Sequence, residues 1–176
     1  FCMDAEKTRY ESWQELLHYC RYSANPVGRF LLLLHAEGHE TLAPSDALCS
    51  ALQVINHLQD AAKDLQVLDR CYIPLPWLEE EGVTIGDLRL VRSKPGLRRV
   101  FDRMLDGVDA LNREARGLPM LIRDRRMRLE AAVIVELSHI LAKRLRRQDP
   151  VAERVALTKA DGAKALLLAM RYWPTH

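Results

Sequence analysis

The sequence predicts an all-α protein, a bundle of antiparallel helices joined by short connections. Leu, Ala, Arg and Glu are abundant, whereas aromatic residues make up only 6% of the 176 residues. The abundant types are good helix formers, and the β-branched runs typical of strands are few. Apolar residues also recur three and four positions apart, as on the buried side of a helix. One compact domain is expected from the 48% hydrophobic content.

The first three helices are predicted from apolar spacing and from the residues that interrupt it. Residues 11–23 form the first, which Asn25-Pro26 ends because the residue before a proline is disfavoured in the α conformation. A short apolar helix follows over 27–36, ended by Gly38. The third begins at Pro44-Ser45-Asp46 and continues without a break to about Asp69. Its apolar stripe consists of Leu48, Ala51, Ile55, Leu58, Ala62 and Leu65.

The remaining elements are read in the same way. Residues 71–76 contain two prolines and are expected to be extended or turned. Two longer helices are predicted over 95–115 and 119–146, and a last amphipathic helix over 158–173. The buried side of the 119–146 helix is predicted to consist of Leu129, Val133, Leu137 and Ile140.

Charge is distributed unevenly along the chain. Residues 1–88 carry a net charge of −8 and residues 89–176 a net charge of +10. An acidic half can hold divalent cations, and a basic half can face phosphates or an anionic membrane surface, but charge alone favours solvated helix faces as the explanation of both. The basic runs 123–128 and 143–147 lack interleaved aromatic residues, so no nucleic-acid partner is expected.

Several other classes are excluded by what the sequence lacks. No apolar run approaches the roughly 20 residues of a membrane span, and the first residues show no basic region followed by an apolar stretch and a cleavage site. We therefore expect a cytoplasmic protein with at most a peripheral membrane contact. The four cysteines have neither zinc-site nor disulfide-framework spacing and are expected to be reduced and mostly buried. Phosphate-binding glycine loops and a nucleophile elbow are also missing.

The most informative residues lie on one side of the third helix. Gln53, Asn56, Asp60 and Asp64 fall within about 80° of its circumference, opposite the apolar stripe. Two carboxylates four residues apart repel each other, and a cation between them would remove that cost. Mg²⁺ suits such a site, since it takes one or two protein carboxylates and completes its shell with water and phosphate oxygens.

An ordinary solvent-facing side of an amphipathic helix is the alternative to this metal site. Two observations favour the wall of a cavity instead. This side of the helix contains amides and not the alternating Lys and Glu residues of a freely solvated helix, and it is flanked by Cys49, Val67 and Leu68. Arg70 and Tyr72, just beyond the helix, could hold a phosphate through a guanidinium fork and a phenol donor.

Two stretches with this order and spacing resemble the squalene/phytoene synthase family. The first is Tyr19-Cys20-Arg21-Tyr22-Ser23-Ala24-Asn25-Pro26-Val27-Gly28, and the second runs from Ala51 through Gln53, Asn56, Asp60 and Asp64 to Arg70-Cys71-Tyr72-Ile73-Pro74. The Ser-Ala-Asn-Pro-Val-Gly variant and the segment 154–161 are similar to the branch that makes hydroxysqualene in the bacterial hopanoid pathway.

The resemblance implies an all-α isoprenoid synthase fold with a central cavity. It implies Mg²⁺ held by Asp60 and Asp64 with Asn56 assisting, and Gln53, Arg70 and Tyr72 near the diphosphate of a prenyl diphosphate substrate. Tyr19 matches the family's functional tyrosine, acting through its ring or its hydroxyl. The implied reaction is ionisation of presqualene diphosphate followed by water capture. Squalene, dehydrosqualene or phytoene synthesis, or a non-catalytic assembly module, are the alternatives.

One part of the family pattern is not matched. Family members carry an earlier aspartate-rich motif on an N-terminal helix, and no segment before Tyr19 resembles it, since Asp4-Ala5-Glu6 is a different pattern. Residues 1–176 are therefore expected to be the C-terminal portion of a single isoprenoid synthase domain, lacking its N-terminal helices. Half of the metal site is expected within this chain.

Overall fold

A computed structural model describes residues 7–173 as a helical bundle. Within that range, β-pairing is limited to one isolated bridge, between Tyr10 and Pro74, which confirms the all-α prediction. The helices in chain order are α1 (Trp13–Ser23), α2 (Asn25–Leu34), α3 (Leu42–Gln59), α4 (Ala61–Leu68), α5 (Leu75–Glu80), α6 (Pro95–Ala115), α7 (Leu118–Leu121), α8 (Arg125–Leu145) and α9 (Lys159–Ala169). Short 3₁₀ turns occupy His39–Thr41, Ile85–Arg89 and Met170–Tyr172.

The boundary between α1 and α2 differs from the prediction. Helix α2 begins at Asn25, so Pro26 lies in its first turn, where a missing N–H breaks no helical hydrogen bond. The proline therefore starts α2 instead of only ending α1. The helix ends at Leu34, and the left-handed residue beyond it is Ala36, with φ 53°, so Gly38 does not terminate it.

Helix α3 is the centre of the bundle and contacts α1, α2, α6 and α8. Its predicted apolar stripe is buried, apart from Ala62 in the following helix, which is half-buried. The stripe continues into α4 at Leu65, which is 2% exposed. Burial of this stripe fixes the rotation of α3 and directs its polar side away from the core.

The predicted unbroken helix from Pro44 to Asp69 is wrong at one point. Asp60 separates α3 from α4, with φ −99° and ψ 5°, outside the helical range. Helical hydrogen bonds still flank it, because its N–H donates to Asn56 O at 2.9 Å and its carbonyl accepts from Asp64 N at 2.7 Å. The chain therefore bends at Asp60. Asp60 and Asp64 do not lie on one straight helix, as their predicted positions around the third helix assumed.

Residues 71–74 of the two-proline segment are outside any helix, as predicted, whereas Leu75 and Pro76 begin α5 and contradict the prediction for 71–76. Pro76 is tolerated there because the first turn of a helix needs no N–H from it. Cys71 N donates to Thr8 O and Leu75 N to Tyr10 O, both at 2.9 Å. These bonds hold the segment before α1 against residues 71–75. Tyr10 is thereby buried beside the end of α4.

Helix α6 spans the predicted residues, whereas the predicted 119–146 helix is two helices. The chain leaves the helical conformation at Ile122, and Asp124 then caps α8 by accepting from Met127 N at 2.8 Å. The side of α8 predicted to be buried is only half-buried. The residues of α8 that are buried are mostly smaller, because α8 packs against α3, α6 and α9 and close contact between helices favours small side chains. These buried residues are Ala131, Ala132, Val135, Ser138, Leu141, Ala142 and Leu145.

Helix α9 is docked on α8 at the end of the described chain. Thr158 and Asp161 form a reciprocal cap at its start, and Asp161 also pairs with Arg144 of α8 at 2.7 Å. Across residues 7–173, no helix is both long and apolar enough to cross a membrane.

Candidate functional site

The predicted metal-binding residues lie together at the bend between α3 and α4. Asn56 Nδ2 donates to Asp60 Oδ2 at 3.0 Å, which leaves the amide oxygen as the atom that can ligate a cation. The side chain of Asp60 is 35% exposed, and Lys63 Nζ lies 3.8 Å from its other oxygen. Asp64 is half-buried on the next turn, and Arg70 N donates to its backbone carbonyl at 3.2 Å.

Electrostatics at this bend disfavour a charged Asp64. Burial raises the pKa of its carboxyl and the Asp60 charge raises it further, whereas Lys63 and Arg70 lower it. The predicted repulsion between the two carboxylates is therefore present. A bound cation would relieve it.

Tyr19 and Tyr72 lie in a buried aromatic cluster beneath the polar residues. The ring of Tyr72 stacks on His57 with 3.5 Å between centroids, and the ring of Tyr19 lies 5.8 Å from His57 and 6.2 Å from Tyr72. Tyr10 completes the cluster, 5.8 Å from Tyr19 and 5.9 Å from Tyr72. The rings come from four parts of the chain, namely the segment before α1, α1 itself, α3 and the segment after α4.

Gln53 contacts the aromatic cluster through His57. Its Nε2 lies 3.2 Å from His57 Nε2, one helical turn along α3. His57 is the neighbour of Asn56 but points into the core, with 4% exposure. The seven predicted site residues thus form two groups, Asn56-Asp60-Asp64-Arg70 at the bend and Tyr19-Gln53-Tyr72 around His57.

His57 and Tyr10 belong to this arrangement although neither was among the predicted site residues. For His57 the sequence does contain a signal, because residues four apart on a helix lie side by side and His57 is four residues after Gln53. No local pattern marks Tyr10, because it precedes α1 and is placed by pairing with residues 71–75.

An apolar groove begins one turn before the polar residues on the same side of α3. Leu52 and Cys49 precede Asn56 and Gln53 by four residues each, about 6 Å along the helix axis. The groove has a volume of about 250 Å³. Helices α2, α3, α7 and α8 line it with mainly apolar residues, including Val27, Leu31, Leu48, Leu52, Leu118, Ile122 and Ile134.

The Asn-Pro-Val-Gly sequence shapes this groove by bringing α2 close to α3. A Cβ atom on Gly28 would lie 2.6 Å from both Cys49 Sγ and Ser45 Oγ, so only glycine permits the approach. The buried Asn25 amide lies 3.0 Å from Ser50 Oγ, and with its nitrogen on that side it donates to the carbonyls of Cys20 and Asp46 at 3.3 Å.

The polar residues are less enclosed than a cavity wall would be. Asn56 is exposed, and so are Val67 and Leu68, two of the residues predicted to flank a cavity. Cys49 does line the apolar groove. Asp60 borders a second cleft of about 480 Å³, of mixed polar and apolar lining, formed with Lys63 and residues 150–154. Within residues 7–173, the enclosure of this face is therefore partial.

The oxygen ligands at the bend fit a magnesium ion whose remaining ligands are water or phosphate oxygens. Across residues 7–173, no group of three or more His, Cys, Asp or Glu side chains is placed to hold a metal. Two carboxylates and one amide are present at the bend, and Mg²⁺ commonly takes one or two protein carboxylates with water and phosphate oxygens.

Comparison with known sequences identifies the family. The profile described as squalene/phytoene synthase matches residues 1–161. The hydroxysqualene synthase of Rhodopseudomonas palustris is 43% identical over 170 residues, which cover 97% of this chain and 58% of that protein. The hydroxysqualene synthase of Zymomonas mobilis is 42% identical, covering 92% of this chain and 54% of that protein. The chain thus spans little more than half the length of these curated relatives.

Solved structures show the same fold. The squalene synthase HpnC from Alicyclobacillus acidocaldarius superposes with a TM-score of 0.77 at 38% identity, over 84% of this chain and 56% of that one. A dehydrosqualene synthase superposes with a TM-score of 0.85 at 22% identity, over 96% of this chain and 60% of that one. The predicted isoprenoid synthase fold is confirmed, and with the sequence match it follows that the chain belongs to the squalene/phytoene synthase family.

Proposed function

We propose that the whole protein is a hydroxysqualene synthase, which ionises presqualene diphosphate and lets water capture the rearranged carbocation. The observation that carries this proposal is the change in character along one side of α3. An apolar groove at Leu52 and Cys49 gives way within a turn to the oxygens of Asn56 and Asp60. A prenyl diphosphate has the same division between a hydrocarbon tail and an anionic head.

The reaction breaks the bond between carbon and the diphosphate oxygen, and the electron pair leaves with the diphosphate. Water then forms a C–O bond with the cation and loses a proton. No oxidation or reduction occurs, so no nicotinamide is required. The apolar groove excludes bulk water from the cation until it has rearranged.

The proposed roles of the residues follow from their positions. Asn56, Asp60 and Asp64 would hold Mg²⁺, which supplies charge neutralisation for the leaving diphosphate. Arg70, close enough to Asp64 to lower its pKa, would bind a diphosphate oxygen. Tyr19 and Tyr72 contribute ring faces beneath the site, which favour a nearby cation.

The test compares substrates and variants of the whole protein. Presqualene diphosphate should yield hydroxysqualene, and the double variant Asp60→Asn with Asp64→Asn should lower this turnover by at least about 1,000-fold. It should also abolish the rise in Tm on adding Mg²⁺. The control Asp69→Asn, a surface carboxylate beside Arg9, should leave both unchanged. Unchanged turnover in the double variant would remove the metal assignment.

Two other functions are separated by the same assay. Turnover of farnesyl or geranylgeranyl diphosphate without turnover of presqualene diphosphate would indicate squalene, dehydrosqualene or phytoene synthesis. The presence of only two carboxylates at the bend, among residues 7–173, favours a non-catalytic assembly module as the second candidate. Binding of a prenyl diphosphate without diphosphate release would identify it.

A further inference from the structure

Helix α9 is apolar on two opposite sides. One side, at Ala165 and Ala169, is buried against the bundle. The other exposes Leu167 at 74% and Leu166 and Met170 at about half of their surface. A surface helix ordinarily presents polar residues on the side opposite its core contact. A second apolar side therefore indicates a further contact.

The charges around this second apolar side are positive. Lys159 and Lys164 are exposed on α9, whereas the only carboxylate of the helix, Asp161, is buried and paired with Arg144. Arg171, just beyond the helix, pairs with Glu136 of α8. The outward surface of Lys159, Lys164, Leu166, Leu167 and Met170, named here the α9 face, thus combines apolar side chains with two lysines that form no ion pair within residues 7–173.

We propose that the α9 face docks on the surface of an anionic lipid bilayer. Helices that lie in a membrane interface bury an apolar side to the level of the acyl chains and place lysines among the headgroups. Trp173, 43% exposed at the end of this segment, is of the type that favours the headgroup region. The lysines then face the negative potential of the lipid surface.

A second copy of the chain is a poorer occupant of this surface. Two α9 faces in contact would bring Lys159 and Lys164 of one copy close to the same residues of the other. Like charges brought together in an interface oppose association. A negatively charged lipid surface has the complementary charge.

The test is sedimentation of the whole protein with vesicles of phosphatidylglycerol or of phosphatidylcholine. Binding should be stronger to phosphatidylglycerol and should weaken with added salt. Lys159→Ser with Lys164→Ser should weaken binding to phosphatidylglycerol about 30-fold, since each lysine near an anionic surface contributes about a factor of five. Leu166→Ser with Leu167→Ser should weaken it by about tenfold or more.

Matched controls make the outcome specific to this surface. Leu33→Ser removes an equally exposed leucine on α2, and Arg92→Ser removes an exposed cation before α6, and both should leave vesicle binding unchanged. Tm measurements check that each variant is folded. Equal loss in the controls, or no loss in the α9 variants, would overturn the proposal. The proposal would also be overturned if the native protein bound no vesicles but self-associated, and if Leu166→Ser with Leu167→Ser abolished that self-association. Because turnover is not measured, the outcome is independent of the proposed enzymatic activity.

Discussion

At the scale of single residues, the bend at Asp60 holds two carboxylates that work against the stability of the fold. Helix α3 ends one residue before Asp60, and Asp64 lies on the next turn with its pKa raised by burial and by Asp60. Such an arrangement is common where binding matters more than stability. The proposed role of Asp60 and Asp64 in holding a cation would explain why they are placed so close together.

Asp64→Asn should therefore raise the stability of the metal-free protein. In the folded state the raised pKa means that the charged form of Asp64 is disfavoured, so the native protein loses stability as pH rises from the ordinary carboxyl pKa through the raised one. The variant has no such loss. Near neutral pH its Tm should be higher by about 1 °C, and the difference should vanish at a pH below the ordinary carboxyl pKa.

Thermal unfolding across pH, with and without Mg²⁺, is the measurement. Glu79→Gln, an exposed carboxylate on α5, is the control and should show no comparable change. Added Mg²⁺ should stabilise the native protein and not the Asp64→Asn variant. A variant that is less stable than the native protein at every pH would contradict the electrostatic explanation.

At the scale of helices, the close packing of α2 on α3 depends on a single missing side chain. Gly28 faces Cys49 and Ser45 at a distance that leaves no space for a Cβ atom. Gly162 in α9 is a natural comparison, because nothing lies within 4 Å of its Cβ position. The same substitution should have opposite effects at the two sites.

Gly28→Ala should destabilise the protein by about 1–3 kcal/mol, because α2 must move away from α3. Gly162→Ala should stabilise it by about 0.5–1 kcal/mol, the ordinary gain for alanine over glycine within a helix. Denaturant unfolding of both variants measures the two changes. A neutral effect of Gly28→Ala would show that the α2–α3 contact tolerates a methyl group.

Predictability at the helix scale followed the strength of the local signal. Helix α6 agrees with its prediction because Pro95 begins it and its apolar stripe is regular. The break in 119–146 was missed because Ile122 is apolar and continues the pattern, while its extended backbone is imposed by contacts of the following loop. Arg123 N and Asp124 N, for example, both donate to Glu37 at 2.8 Å.

At the scale of the whole molecule, the uneven charge of the sequence is partly cancelled by folding. Cations of the basic half pair with carboxylates of the acidic half. The pairs are Lys94–Asp87, Arg99–Glu81, Arg103–Glu80 and Arg123–Glu40. The opposite charges in the two halves of the sequence thus help to hold the two halves together in the fold.

Because the cation of each pair is exposed, salt should weaken these pairs. Raising sodium chloride from low to physiological concentration and beyond should lower Tm by about 2–4 °C if each pair contributes a few tenths of a kcal/mol. The double variant Glu80→Gln with Glu81→Gln should show a smaller decrease. Differential scanning calorimetry at matched pH makes the comparison, and equal salt dependence in both proteins would exclude these two pairs as the cause.

The division of the domain is also a property at this scale. That residues 1–176 are the C-terminal portion of one isoprenoid synthase domain stays a prediction. The partial enclosure of Asn56 and Asp60 by residues 7–173 is compatible with it.

The helical class, the stripe of α3 and the spacing of Asn56, Asp60 and Asp64 can be predicted from local sequence, because each depends on periodicity within one stretch of chain. The tertiary structure was needed to show that Tyr19, Tyr72, His57 and Tyr10 form one cluster, since these rings come from separate segments. It likewise decided the bend at Asp60 and the second apolar side of α9. Such features depend on which surfaces meet, and contacts between distant residues leave no local pattern.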